Sequence, residues 1–175
     1  MLISPLNTIQ FMPKSAFPNA IELIDALFDF VVTNAANDYW RIDIGEVSSD
    51  LAQTIYNATG FDILGYTISM DSHGFRHLLN QHGLSDNEAQ RGQTHVQKKD
   101  LGYIFAILET PDSITDTGKS RIGHNCILVE KQIKDKYYFT VWEIRTVQSL
   151  QKLLKKKHRL ILHTFYIRKN TEKPS

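Results

Sequence analysis

Residues 62–83, DILGYTISMDSHGFRHLLNQHG, decide how this chain folds. Their first half, with the preceding Phe61, is rich in β-branched and aromatic residues and predicts a strand over Phe61–Met70. The second half changes period. With Asp71 or Ser72 as N-cap and Gly83 as the stop, it predicts a helix over Ser72–His82. On a wheel of about 100° per residue, Phe75, Leu78 and Leu79 form the apolar face, and His73, Arg76, His77, Asn80 and Gln81 gather on the opposite one. His82 falls on the apolar side if the last turn persists, and its direction stays open if Gly83 unwinds that turn. It reads equally as a helix cap packed under the sheet or as an acid.

Working outward, Ile21, Ile24, Leu27, Phe28 and Val31 have helical spacing within about Asn19–Ala35, with Glu22, Asp25 and Asp29 on another face. Residues 38–47, DYWRIDIGEV, alternate as a half-buried strand does. Ser48, Ser49 and Asp50 then offer N-caps to a helix over Leu51–Ala58, which Gly60 ends. A further helix is expected over Lys98–Glu109, with Leu101, Ile104, Phe105 and Leu108 on one face and Pro111 just beyond. Strands follow at Ser120–Glu130, Lys136–Thr146 and His158–Arg168. Helices first and strands afterwards predict an α+β fold, N-terminal helices packed on a small antiparallel β-sheet. The chain divides into an acidic helical extension (1–37), a main domain (38–169) and a flexible tail (170–175).

Of the 175 residues, 42% are hydrophobic and 22% charged, which fits one ordinary domain with a small appendage. The single cysteine, Cys126, excludes a disulfide framework and a cysteine-rich zinc site. Chemistry is left to His, carboxylates, hydroxyls and basic groups. The net charge of +1 is polarised: residues 1–72 hold two basic and nine acidic side chains, a net of −7, and the remainder holds 18 basic and 10 acidic, a net of +8. All seven histidines lie in the basic part. Such a division fits a basic working surface for a polyanion, or simply two solvated faces. The most apolar segment, Ala20–Val32, is broken by Glu22, Asp25 and Asp29, so neither signal peptide nor membrane span is expected, and a cytoplasmic location is.

By strict alternation the last strand would point Leu160, Leu162, Thr164, Tyr166 and Arg168 one way, and Ile161, His163, Phe165 and Ile167 the other. A Thr hydroxyl, a Tyr hydroxyl and a guanidinium in a row could all donate to phosphate oxygens. His73 and His77 have the i, i+4 spacing of helical metal ligands. Gly74 stands where a zincin motif needs Glu, and no third ligand is evident, so no metal site is assigned.

Residues 62–83, taken with NEAQRGQTHVQKKDLGYIFAILETPDSI (87–114), YYFTVWEIRT (137–146) and LILHTFYIRK (160–169), resemble the phage-associated nuclease domains of the barnase, EndoU, colicin and RelE-like (BECR) superfamily. The order carries the likeness: a His-x4-His helix, Glu-x2-Arg-Gly-Gln, an Asp-led helix ending near Pro-Asp, then strands closing with Thr-x-Tyr. The resemblance covers about Asp38 to Lys169. It implies a metal-independent, cofactor-free endoribonuclease with its site across the sheet face. On it, His77 and His82 match the paired histidines, Arg91 and Gln93 the Arg-Gly-Gln element, and Thr164 and Tyr166 the final strand; Glu143 and Arg145 lie in the penultimate strand. The implied catalytic groups are His77, His82, Thr164 and Tyr166, with Arg76, Arg91, Gln93, Glu143, Arg145 and Arg168 binding substrate.

The implied chemistry is attack of the RNA 2′-hydroxyl on its own phosphorus, with histidine as base and acid near its ordinary pKa of about 6.5. Two other readings stand beside it. One is a non-catalytic nucleic-acid-binding or phage structural module, using Lys152, Lys155, Lys156, Lys157 and Arg159 on a phosphate backbone. The other is a toxin held by an immunity or antitoxin protein.

Overall fold

The computed structural model describes residues 15–33, 38–82, 93–146 and 158–169. The expected flexible tail, Arg91 and the lysine run at 152–157 lie outside the described residues. In chain order the elements are α1 (Ala20–Thr33), β1 (Arg41–Glu46), α2 (Ser49–Thr59), β2 (Thr67–Asp71), α3 (Ser72–His82), β3 (Gln93–Thr94), a 3₁₀ turn (Lys98–Tyr103), α4 (Ile104–Glu109), β4 (Ser113–Lys119), β5 (Asn125–Ile133), β6 (Lys136–Arg145) and β7 (Arg159–Lys169). The fold is α+β, helices and a seven-stranded sheet in the order β1-β2-β7-β6-β5-β4, with β3 also paired to β7.

Local chemistry explains most boundaries. Ser48 caps α2 by accepting from the Leu51 amide, and Gly60 ends it in the left-handed region at φ 79°. Asp71 caps α3: its Oδ1 accepts the Gly74 amide at 2.7 Å. The four described α-helices and the inner sheet face share one core, in which Ile24, Leu27, Phe75, Leu78, Trp142 and Phe165 are fully or almost fully buried. The acidic helix α1 supplies Ala20, Ile24 and Leu27 to it, while its Asp29 pairs with Lys98 Nζ at 2.9 Å.

β7 organises the sheet. Along one edge it pairs antiparallel with β6. On its other edge Arg159–Ile161 run parallel to Thr67–Ser69 of β2, and Ile167–Arg168 pair with β3. The β2 pairing makes the sheet mixed rather than antiparallel: the chain returns from β2 to β7 only after seven other described elements, and the two strands then run parallel. Helix α3 packs against β7. A Cβ on Gly74 would sit 2.7 Å from the Leu162 carbonyl oxygen, so glycine permits this contact.

Several expected boundaries shift. The strand expected over 61–70 shortens to β2, and the turn at Gly65, φ 73°, precedes it. The helix expected over 98–109 begins as a 3₁₀ turn whose Gln97 amide is bonded by Asp100 Oδ2 at 2.8 Å, and only 104–109 is α-helical. The strand expected over 120–130 is a hairpin arm, β5, preceded by a turn and by β4, an exposed edge strand of polar sequence (SITDTGK) with no apolar alternation to betray it.

Gly74→Ala is expected to lower stability by about 1–3 kcal/mol, although Ala is the better helix former by about 1 kcal/mol. Denaturant unfolding checks this; equal or higher stability in the variant would show that α3 does not need the close approach.

Candidate active site

In β6, Tyr138, Trp142 and Ile144 join the core and Thr140 is buried beside them, which sends Tyr137, Phe139, Val141, Glu143 and Arg145 to the outer sheet face. In β7 the pattern breaks. Val141 pairs with Thr164 and Trp142 with Leu162, leaving His163 as one extra residue, a β-bulge. Leu160 and Leu162 before it, and Phe165 and Ile167 after it, all face the core. The side-chain parity therefore flips at His163. His163, Thr164, Tyr166 and Arg168 share the outer face with Glu143, which corrects the strict alternation expected from sequence.

Glu143 is buried, its side chain 5% exposed, and its two oxygens have separate partners. Oε1 lies 3.3 Å from His163 Nδ1, and Oε2 accepts from Arg145 Nε at 3.1 Å. The His163 hydrogen bond, helped by Arg145, outweighs burial and holds the Glu143 carboxyl down at about 2. Reciprocally, Glu143 raises the His163 pKa above its ordinary 6.5 against the opposing effects of burial and Arg145. The His163 ring, 45% exposed, stacks with His77 of α3 at a centroid distance of 5.5 Å.

Asp71, at the start of α3, faces the same group and adds to the rise at His163. It also accepts a long hydrogen bond from the exposed Tyr39, OH to Oδ2 at 3.4 Å. Burial, then Asp71, raises the Tyr39 pKa, and both Arg41 and Arg145 oppose that rise. Beside them Ser69 Oγ donates to Asp43 Oδ1 at 2.8 Å, and Arg159 Nη1 bonds Ser69 Oγ at 2.8 Å and also Asp43. The outer face thus carries an ion-paired floor beneath two adjacent imidazoles.

The structure brings His77, Glu143 and Arg145 together, and His163 and Tyr39, which the sequence reading passed over, complete the group. The missed signal was the bulge, since unbroken alternation turns His163 away. Thr164 lies next door, yet its Oγ1 is buried and finds no hydrogen-bond partner. Its hydroxyl is not offered to a ligand as expected. Arg76 turns elsewhere, donating to the Asp38 carbonyl at 2.9 Å with its guanidinium 6.0 Å from the Phe30 ring. Tyr166 and Arg168 stand further along β7, and Gln93 pairs with Arg168 from β3. The His82 side chain and Arg91 lie outside the described residues. Among the described residues no group of three or more His, Cys, Asp or Glu is arranged to hold a metal ion, and no helix is long and apolar enough to cross a membrane.

The family model described as phage-Barnase-EndoU-ColicinE5/D-RelE like nuclease3 matches residues 45–174, well over half of the chain, from near the end of β1 onward. No curated protein and no solved structure matches it.

Both partners of the Glu143–His163 pair are charged between the Glu143 value of about 2 and the raised His163 value above 6.5. Glu143 contributes stability that is present above its ordinary 4.5 and lost as pH falls toward about 2; His163 contributes stability present below 6.5 and lost as pH rises through its folded value. In Glu143→Gln, an NMR titration of His163 is expected to move to lower pH. An unmoved titration would break the assignment.

Proposed function

The chain belongs to the family of phage-Barnase-EndoU-ColicinE5/D-RelE like nucleases, and from that premise we propose that it is an endoribonuclease acting by 2′-hydroxyl transesterification, with His163 and His77 as its acid and base. The observation that carries this reading is the buried Glu143 bonded to His163 Nδ1, with His77 stacked on the same imidazole. A ring anchored through Nδ1 presents Nε2 to a ligand, and the carboxylate behind it favours the protonated ring. Those are the properties of a general acid.

In the proposed reaction His77 accepts the 2′-hydroxyl proton while the 2′-oxygen bonds to phosphorus. The bond from phosphorus to the 5′-oxygen breaks, and His163 gives that oxygen its proton. The products are a 2′,3′-cyclic phosphate and a free 5′-hydroxyl. Arg145, partly exposed and bridged to Glu143, and the exposed Tyr39 hydroxyl border the position where charge builds on the phosphorane. His82 and Arg91 keep only the roles the family resemblance gives them. The route needs no metal, and it selects RNA because DNA lacks the attacking hydroxyl. The phage and colicin proteins in the family's description support an effector or toxin acting on cytoplasmic RNA, with an immunity or antitoxin protein as partner.

Purified protein incubated with total RNA in EDTA is expected to yield cyclic-phosphate ends. His163→Ala should cut the rate by about 10²- to 10⁴-fold, the scale of a general acid or base, and His77→Ala likewise. Full cleavage by a folded His163→Ala protein would remove the mechanism; RNA binding without any cleavage by the parent would favour the non-catalytic module.

A further inference from the structure

Three residues beyond His163 on β7, Tyr166 stands opposite Phe139 of β6. Their rings are parallel, 4.7 Å between centroids and 6° between planes. The Arg168 guanidinium carbon lies 5.4 Å from the Phe139 ring and 5.7 Å from that of Tyr166. Core duty in this part of the two strands falls to Tyr138, Thr140, Phe165 and Ile167, all buried, whereas Phe139 and Tyr166 are half-buried and Arg168 is exposed on the opposite face. A cross-strand aromatic pair by itself stabilises a sheet by roughly 0.2–1 kcal/mol. This pair also borders a guanidinium, and it lies on the same face as Glu143, Arg145 and His163. At about 3.3 Å per residue it sits about 10 Å from His163, a short step along an extended polynucleotide.

We propose that Phe139, Tyr166 and Arg168 form a nucleobase subsite, on which an unpaired base flanking the cleaved phosphate of a single-stranded RNA stacks. The proposal deepens the ribonuclease reading and rests on it for the position of the phosphate. Stacking on rings tolerates any base, because every base has a π face, and the guanidinium adds attraction to the neighbouring phosphate. A duplex cannot use the subsite, since its bases already stack on one another and its deep groove excludes side chains.

The test is binding of a fluorescent single-stranded oligonucleotide, 2′-O-methylated throughout so that it cannot be cut, with one abasic position stepped along it. The parent protein is expected to lose about 5- to 150-fold in affinity at one position, the scale of one base–aromatic stack. Phe139→Ala should bind the intact oligonucleotide more weakly by a similar factor and show no such position. Phe139→Leu, which keeps apolar volume on the sheet, should lose the position too while unfolding at the parent's temperature. A flat abasic profile in the parent, an unchanged profile in either variant, or equal affinity for the duplex overturns the subsite. Cleavage of the all-ribose oligonucleotide by the parent reports separately on the His163 mechanism, so either reading can fail alone.

Discussion

Helix α3 lies so close to β7 that the Leu162 carbonyl leaves no room for a side chain at position 74. One residue later β7 bulges. These two features set the working face together: the close approach brings His77 down to the sheet, and the bulge turns His163 up to meet it. A strand of unbroken period 2 could not offer Leu160, Leu162, Phe165 and Ile167 to the core and still place His163 beside Glu143. The extra residue resolves that conflict, and it does so in the strand that binds β2, β3 and β6.

Burying Glu143 is the energetic counterpart of this geometry. A carboxylate removed from water is costly unless each oxygen finds a donor, and here one is bonded by Arg145 and the other by His163. The same bonds that make the burial tolerable raise the His163 pKa. In the proposed mechanism, folding and chemistry use one interaction.

The polarised charge of the sequence does not persist as two separate faces at these positions. Asp43 of the acidic part is bonded by Arg159 of the basic part, Asp29 by Lys98, and Asp71 lies near His163. The two parts are folded against each other across the sheet. That interleaving leaves the Arg159 guanidinium held in place by a carboxylate of the other part.

Much of the architecture was legible beforehand. The caps at Ser48 and Asp71, the stop at Gly60, the apolar faces of α1 and α3 and the long strands β6 and β7 follow from local periodicity and turn chemistry, which act within a few residues. So does the order of a histidine-bearing helix and a later polar strand, on which the family resemblance rests. The edge strand β4 was hidden because its pairing is made by backbone groups, and Ile114 alone of its side chains packs against the core. The parallel β2–β7 pairing, the bulge and the burial of the Thr164 hydroxyl were hidden for another reason. Each depends on the meeting of segments distant in the chain, where packing space, rather than the intrinsic preference of any residue, decides which way a side chain points.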